Sequence, residues 1–249
     1  MPRFAVKRPV ELDGAGGADD GIADQASVAM GHSPHLYVPP PWGASVLPLT
    51  EGQSHHLRRV LRSFDAVPVS YADGQGTVGQ GTLGPQGILR GEESQVPRPT
   101  PMLTVAVAPP RSADRVRFIV EKLSELGADR LVWLTSEFGQ ARAPRADKSI
   151  RWASAALEQS RGAWLMAISD SVALTEVPQP RWFVHPGGGP LPVPSGDVTL
   201  VIGPEGGFSP AELRQADTTV GLGARVLRVE TAALVAAGLV LRHLGRMNT

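Results

Sequence analysis

The chain has 249 residues, 42% of them hydrophobic and 19% charged, which is typical of a folded globular protein and excludes a low-complexity chain. Its 24 basic and 24 acidic residues cancel, which argues against a protein that coats nucleic acid without selectivity. It has no cysteine and no apolar run of about 18 residues, so we expect no disulfide and no membrane span, and we predict a cytoplasmic protein. The histidines lack the spacing of a metal-binding motif, so no metal is predicted.

The first third of the chain divides into an extension and a β-rich region. Residues 1–33 are rich in Gly, Ala and Asp without periodicity, which predicts a disordered extension. Residues 34–96 hold the short β segments HLYV, VPVSYA, TVGQGTL and GILR between turn residues, a pattern that predicts a small β-barrel or sandwich. One helix, SHHLRRVLR, interrupts them, with Ser54 as the predicted N-cap. Residues 92–101 (EESQVPRPTP) are predicted to be a linker.

From residue 102 to residue 249, predicted strands alternate with predicted helices. The helices cover 113–126 and 147–160 and begin again at Pro210 and at Thr231. The first is predicted to end at Gly127 and to bury one apolar stripe, formed by Val116, Ile119, Val120, Leu123 and Leu126. The strands are MLTVAVA, RLVWLT, WLMAI, RWFVH, VTLVI and TVGL. This alternation predicts an α/β domain with a parallel sheet covered by helices.

The stretch VTLVIGPEGGFSPAE, residues 198–212, is the most informative in the chain. Ser209 and Glu212 have the spacing of a capping box around Pro210, so a helix begins directly after the loop 203–207. Open α/β sheets bind ligands at the carboxyl ends of their strands, and glycine leaves backbone N–H groups accessible. The loop therefore predicts a ligand site, the alternative being a tight turn with no ligand.

Two further strands end in glycines. VGLGARVLRVETAAL contains Gly221 and Gly223 and offers the polar groups of Arg225, Arg228 and Glu230. FVHPGGG occupies residues 183–189. An Arg–Glu surface pair beside a packed helix is the simpler interpretation of the first stretch. Three glycine-rich strand ends in one domain nevertheless favour a ligand crevice.

Arginines mark a possible RNA surface. Arg58, Arg59 and Arg62 lie on one predicted helix, where they either contact RNA phosphates or form an ordinary solvated face. The alternating charges of the helix 113–126 are best interpreted as a solvated face.

In this order, the motifs HHLRRVLR, RVRFIVEKLSELGAD, ALEQSR, HPGG, LVIGPEGGFSPAEL and LGARVLRVETAAL resemble the RsmE family of ribosomal RNA methyltransferases in the SPOUT superfamily. The resemblance covers residues from about 34 to 249. It implies a PUA-like β-barrel domain at 34–96 and a SPOUT α/β methyltransferase domain at 102–249, with a deep trefoil knot at about 181–249.

The resemblance also implies an activity, methylation of uridine N3 in 16S rRNA in the decoding region of an assembled small subunit by a homodimer that uses S-adenosyl-L-methionine. It implies no membrane partner. The residues implied to contact the cofactor are His185, Pro186, Ile202, Gly203, Pro204, Glu205, Gly206, Gly207, Leu222, Gly223, Val226, Leu227 and Arg228.

The chemistry suggests candidate catalytic residues. Uracil N3 carries a proton, so the reaction needs a base or a group that stabilises the anion. Arg228 is the candidate for stabilising the carbonyl charge, and Glu230 or Glu205 is the candidate for accepting the proton. Arg58, Arg59 and Arg62 are the candidates for binding RNA.

The chain departs from the family pattern where arginines are usual, at His35, Phe138 and near Gly162, and where a proline is usual, near Met166. These departures bear on RNA binding more than on cofactor binding. Two alternatives stay open, a non-catalytic RNA- or ribosome-binding paralogue and a SPOUT methyltransferase with another RNA target.

Overall fold

The computed structural model describes residues 33–60 and 66–247. The extension predicted for residues 1–33 therefore lies outside the described residues except for Ser33. From Pro34 onward the described residues form one compact unit that contains two β-sheets.

The first sheet has five strands in the order β1-β3-β4-β5-β2. Its strands are β1 (His35–Tyr37), β2 (Val46–Leu47), β3 (Val67–Ala72), β4 (Thr77–Gly84) and β5 (Gly87–Gln95). The β1–β3 pair is parallel and the others are antiparallel. One face packs around Tyr71, Leu83 and Ile88, which are completely buried. The PUA-like barrel stays a prediction, as does the status of the two regions as separate domains.

Two boundaries differ from the sequence predictions. Strand β5 continues to Gln95, so the first residues of the predicted linker belong to the sheet. Helix α1 (Glu51–Val60) begins before Ser54, which is therefore not its cap. Instead, the Thr50 hydroxyl accepts the Gln53 N–H (3.2 Å) and the Gln53 amide oxygen accepts the Thr50 N–H (3.0 Å). This capping box one turn earlier starts the helix.

The second sheet has six strands, and every strand pair in it is parallel. Its order is β11-β9-β10-β6-β7-β8. The strands are β6 (Leu103–Val107), β7 (Arg130–Thr135), β8 (Ala167–Ala173), β9 (Arg181–Gly189), β10 (Val198–Ile202) and β11 (Thr218–Val220). The connecting helices are α2 (Ala113–Leu126), α3 (Ala146–Ser160), a 3-10 turn (Leu174–Glu176), α4 (Pro210–Leu213) and α5 (Val229–His243). The predicted α/β fold with a parallel sheet is confirmed, whereas the trefoil knot stays a prediction.

The core of this sheet lies along β6 and β10, in which every residue is buried. Helix α2 covers them with the predicted apolar stripe, since Val116, Ile119, Val120 and Leu123 are buried. Gly127 ends this helix in the left-handed conformation, as predicted. Central parallel strands buried on both faces are expected to be almost entirely apolar, and these are apolar except for Thr104 and Thr199.

Strand β8 was predicted in the wrong place. The segment WLMAI was expected to be a strand, but β8 occupies Ala167–Ala173. Its sequence is AISDSVA, and it lies at an edge of the sheet where most of its residues are exposed or half-buried. An edge strand with polar side chains has little apolar patterning to detect. The closing helix α5 also begins at Val229 rather than Thr231.

Helix α3 contacts the first sheet. The Glu158 carboxylate accepts the Tyr37 N–H (2.9 Å) and the Gln53 amide (2.7 Å). The His35 ring lies 2.8 Å from the Ser70 hydroxyl and 3.3 Å from the Gly162 carbonyl. Two of the positions that depart from the family pattern, His35 and Gly162, are therefore direct neighbours.

No helix among the described residues is both long enough and apolar enough to cross a membrane. Residues 33–60 and 66–247 also contain no cluster of three or more metal-ligating side chains.

Candidate functional site

A cavity of about 330 Å³ lies where strands β9 and β10 end. Three chain segments form its wall: the middle of β9, the loop after β10, and the segment that runs from the loop after β11 into α5. The lining residues are Val184, His185, Pro186, Ile202, Gly203, Pro204, Glu205, Gly207, Phe208, Leu222, Gly223, Arg225, Val226, Leu227, Arg228, Val229 and Ala232. The carboxyl ends of adjacent parallel strands are the usual ligand position in such sheets.

All of the predicted cofactor-contacting residues line this cavity except Gly206. A Cβ atom built on Gly206 would lie 3.1 Å from Cβ of Phe138, in the loop after β7. Gly206 therefore packs against a neighbouring loop, and the loop that it belongs to forms the cavity wall with its other residues.

Two of the wall glycines, Gly207 and Gly223, have backbone angles that side chains disfavour. Their φ values are +77° and +115°, in the region that residues with a Cβ rarely adopt. A Cβ built on either would meet no protein atom within 4 Å. The space beside both is therefore open, while the Gly207 N–H donates to the Pro204 carbonyl (2.9 Å) and closes the loop.

The loop after β10 is held by the capping box predicted from the sequence. The Ser209 hydroxyl accepts the Glu212 N–H (3.2 Å), and the Glu212 carboxylate accepts the Ser209 N–H (2.8 Å). Pro210 occupies the first turn of α4. This reciprocal pairing fixes the point at which the loop ends and the helix begins.

Glu212 makes a second connection that the sequence did not predict. Its other carboxylate oxygen accepts the backbone N–H of Glu137 at 3.0 Å. Burial favours the neutral acid, but the N–H groups of Ser209 and Glu137 stabilise the carboxylate, and the pKa of Glu212 lies below its ordinary value. One buried carboxylate thus joins the loop after β10 to the loop after β7.

Residues 97–241 match the protein-family model described as "RNA methyltransferase domain". The chain belongs to the RNA methyltransferase domain family. The matched residues include both loops and the whole cavity.

Two relatives of this methyltransferase domain bear the name ribosomal RNA small subunit methyltransferase E. The one from Synechocystis is 29% identical, with 76% of this chain and 70% of the relative aligned. The one from Mycobacterium bovis is 34% identical, with 58% of this chain and 64% of the relative aligned.

Two solved structures of proteins named as rRNA methyltransferases superpose on this chain. A probable rRNA methyltransferase from Porphyromonas gingivalis superposes with a TM-score of 0.75 at 28% identity, over 85% of this chain and 98% of that one. A ribosomal RNA small subunit methyltransferase E from Neisseria gonorrhoeae, bound to S-adenosyl methionine, superposes with a TM-score of 0.72 at 25% identity and the same coverage.

The candidate catalytic residues of the methyltransferase domain separate into two groups. Arg228 and Glu205 are exposed and line the cavity. Glu230 is buried and does not line it. One Glu230 carboxylate oxygen lies 3.4 Å from Nε of Arg115 on α2, and the other has no hydrogen-bond partner among the described residues. Arg115 was assigned to a solvated face, so this pair was not foreseen.

The predicted RNA-binding arginines can be located only in part. Arg59 is exposed on α1. The side chain of Arg58 and the whole of Arg62 lie outside the described residues. The RNA-binding role of this helix stays a prediction.

Sequence reasoning missed several apolar residues of the wall. Val184 and Phe208 lie next to predicted residues, and Val229 and Ala232 belong to the first turns of α5. The sequence did carry a signal for Val229 and Ala232. They follow Val226 at intervals of three residues, and residues spaced in this way lie on one face of a helix.

Proposed function

We propose that this chain is an S-adenosyl-L-methionine-dependent methyltransferase that acts on ribosomal RNA. One observation carries the proposal. The glycine-bearing segments that resemble RsmE cofactor motifs converge on a single cavity within the residues that match the RNA methyltransferase family. The names of the relatives and the ligand of the Neisseria structure support it.

The cavity fits the proposed cofactor. Its volume of about 330 Å³ is in the range of small-ligand sites. Ile202, Leu222 and Leu227 offer apolar surface to an adenine ring. The open space beside Gly207 and Gly223 lets a ligand approach the backbone of both loops closely.

The bound cofactor supplies an electrophilic methyl group on a sulfonium. This chain supplies the groups that prepare the nucleophile. A proton leaves uracil N3 during the reaction, and in this proposal Glu205 accepts it, which is supported by its exposed position in the cavity wall. The guanidinium of Arg228 stabilises the negative charge that spreads to the uracil carbonyl oxygens. The proposed catalytic role of Glu230 has less support, because its carboxylate faces Arg115.

The resemblance to the RsmE family supports a specific methylation position. We propose that the methylated atom is N3 of a uridine in the decoding region of 16S rRNA, in an assembled small subunit of the cytoplasm. The same resemblance supports a trefoil knot at about 181–249 and a PUA-like barrel at 34–96 that contacts RNA.

A homodimer is part of the proposal. On α5, Val235 and Leu239 are spaced i, i+4 and are 40% and 41% exposed. Residues four apart lie on one helix face, so these side chains form an apolar strip. Phe118 of α2, a helix that packs against α5, is exposed as well. A second copy of the chain would bury this surface.

A second candidate is a non-catalytic RNA- or ribosome-binding protein. It is favoured by Phe138, which stands where the family pattern has an arginine and packs on the loop that bounds the cavity. It is also favoured by His35 and Gly162, which replace two further arginines at one contact.

Cofactor titration and methylation assays test the proposal together. We expect calorimetry to detect S-adenosyl-L-methionine binding, and we expect methyl transfer to assembled small subunits but not to tRNA. Transfer to tRNA instead would favour a SPOUT enzyme with another target. Cofactor binding without transfer to any RNA would favour the non-catalytic candidate. A folded protein that binds no cofactor would contradict the proposed function.

A further inference from the structure

A second recess opens at the same edge of the parallel sheet, between the loop after β7 and the end of β8. Its volume is about 480 Å³, and it shares no residue with the cavity described above. Its lining combines small apolar residues with the polar side chains of Thr135, Ser136, Arg142, Arg145, Asp170 and Ser171. We refer to it as the Arg142 cleft.

Arg142 is the unpaired cation of the cleft. Arg145 also lines it, but the Arg145 Nε atom lies 3.1 Å from the Asp147 carboxylate, which offsets its charge. The acid that lines the cleft is Asp170. Among the described residues Arg142 has no ion-pair partner, and its side chain is exposed. An unpaired guanidinium in a polar recess is suited to an oxyanion.

Hydroxyl groups complete the lining. Thr135 and Ser171 are exposed, and each hydroxyl can donate one hydrogen bond. Ser136 is buried, and its hydroxyl lies beside Glu212, where it helps to lower the pKa of that carboxyl. Arginine, serine and threonine side chains are typical phosphate contacts in nucleic-acid complexes.

The cleft and the cofactor cavity share one connecting segment. Residues 136–139 form a turn closed by the Gly139 N–H and the Ser136 carbonyl (3.0 Å). Ser136 and Gly139 line the cleft, whereas Glu137 bonds to Glu212 and Phe138 packs on Gly206. A strand of RNA held in the cleft therefore lies beside the loop that bounds the cavity.

We propose that the Arg142 cleft binds a backbone phosphate of the RNA substrate, next to the nucleotide that enters the cofactor cavity. The inference rests on the proposed function, because it assumes that the substrate is RNA. Arg142 provides the charge, and the hydroxyls of Thr135 and Ser171 orient the phosphate oxygens.

The test compares Arg142→Ala with Arg151→Ala in the full chain. Arg151 lies on α3, is exposed, pairs with Asp147 at 3.4 Å and does not line the cleft, so its loss changes the net charge equally. We expect Arg142→Ala to weaken binding to small-subunit rRNA and to lower the slope of log K against log salt by about 0.7 to 1, the value for one phosphate contact. We expect Arg142→Lys to restore most of the binding. Cofactor affinity, measured by calorimetry, should equal that of the wild type and serves as the control for folding.

The outcomes separate this inference from the proposed function. If the wild type methylates rRNA but Arg142→Ala binds rRNA as Arg151→Ala does, the cleft proposal is wrong and the function stands. If the wild type binds rRNA without methylating it and Arg142→Ala still weakens binding, the cleft proposal stands and the catalytic function fails.

Discussion

The carboxylate of Glu212 accepts the backbone N–H of Glu137 at 3.0 Å, across 75 residues of sequence. The same carboxylate caps α4 through the Ser209 N–H. One side chain thus determines where the loop after β10 ends and where the loop after β7 lies. Both loops border proposed binding sites, so we expect binding to depend on Glu212 although it lines neither of them.

Replacing this carboxylate should separate the two loops. Glu212→Gln keeps the size but puts an NH₂ group opposite one of the two N–H donors, leaving that donor unpaired. We expect a loss of about 1–3 kcal/mol in the free energy of unfolding and weaker cofactor binding. Denaturant titration and calorimetry measure the two effects. Glu121→Gln, on an exposed pair with Arg117, is the control. If Glu212→Gln were as stable as Glu121→Gln, the hydrogen bonds of the Glu212 carboxylate would have no structural role.

A side chain at Gly207 should close the cofactor cavity. Val at a φ of +77° is strained, by about 1–2 kcal/mol or more, and its methyl groups enter the open space beside the loop. We expect Gly207→Val to raise the cofactor dissociation constant at least about tenfold. Gly196→Val is the control, since Gly196 lies outside the cavity and an added Cβ meets nothing within 4 Å. Unchanged affinity in Gly207→Val would argue against the cavity as the cofactor site.

Arg228 should affect the chemical step. With cofactor and RNA saturating, we expect Arg228→Ala to lower the single-turnover rate by about a hundredfold, as for loss of an oxyanion donor. Arg225→Ala removes a neighbouring cavity arginine and should change the rate much less. The single-turnover rates of Glu205→Ala and Glu230→Ala identify which carboxylate accepts the proton. A larger rate loss in Glu230→Ala than in Glu205→Ala would mean that Glu230 turns away from Arg115 when the substrate binds.

The apolar strip on α5 predicts the oligomeric state. Leu239→Glu puts a charge on the proposed interface and should raise the dimer dissociation constant by at least about tenfold. Sedimentation velocity over a range of protein concentrations measures it. Ile150→Glu, at another exposed apolar position, should leave the mass unchanged. A wild-type protein that is monomeric throughout would refute the dimer.

His35 predicts a pH dependence of stability. Burial lowers the pKa of His35 from its ordinary value of 6.5, helped by the charge of Arg161 and opposed by the Gly162 carbonyl. As the pH falls below 6.5, the unfolded chain takes up a proton that the folded chain does not, so stability is lost until the folded pKa is reached. Thermal unfolding from pH 7.5 to about pH 5 should show this loss in the wild type and a smaller one in His35→Gln. His56→Gln, at an exposed histidine, should behave as the wild type.

The sequence predicted the elements that have strong local signals. The stripe from Val116 to Leu123 and the box formed by Ser209 and Glu212 both depend on residues close in sequence, and both are confirmed. Strand β8 was misplaced because its polar edge sequence carries no such pattern. The true start of α1 was missed because the Thr50–Gln53 box was not recognised.

Contacts between side chains far apart in the chain could not be predicted from one sequence. The convergence of three segments on one cavity was foreseen from their glycine motifs and the family resemblance. The partner of Glu230 was not, because Arg115 is far away along the chain and is typical of a solvated helix face. Gly206 was expected in the cavity, but it packs on Phe138 of another loop, a contact between residues far apart in the chain.

Strand β6 separates the two proposed sites, since it lies between β10 and β7 and is buried throughout. The gap between β9 and β10 is three strand spacings, about 14 Å, from the gap between β7 and β8. This length cannot change without breaking the central ladder of the sheet. If both proposals hold, this fixed spacing would select the methylated nucleotide by its distance along the RNA from the bound phosphate as well as by its base.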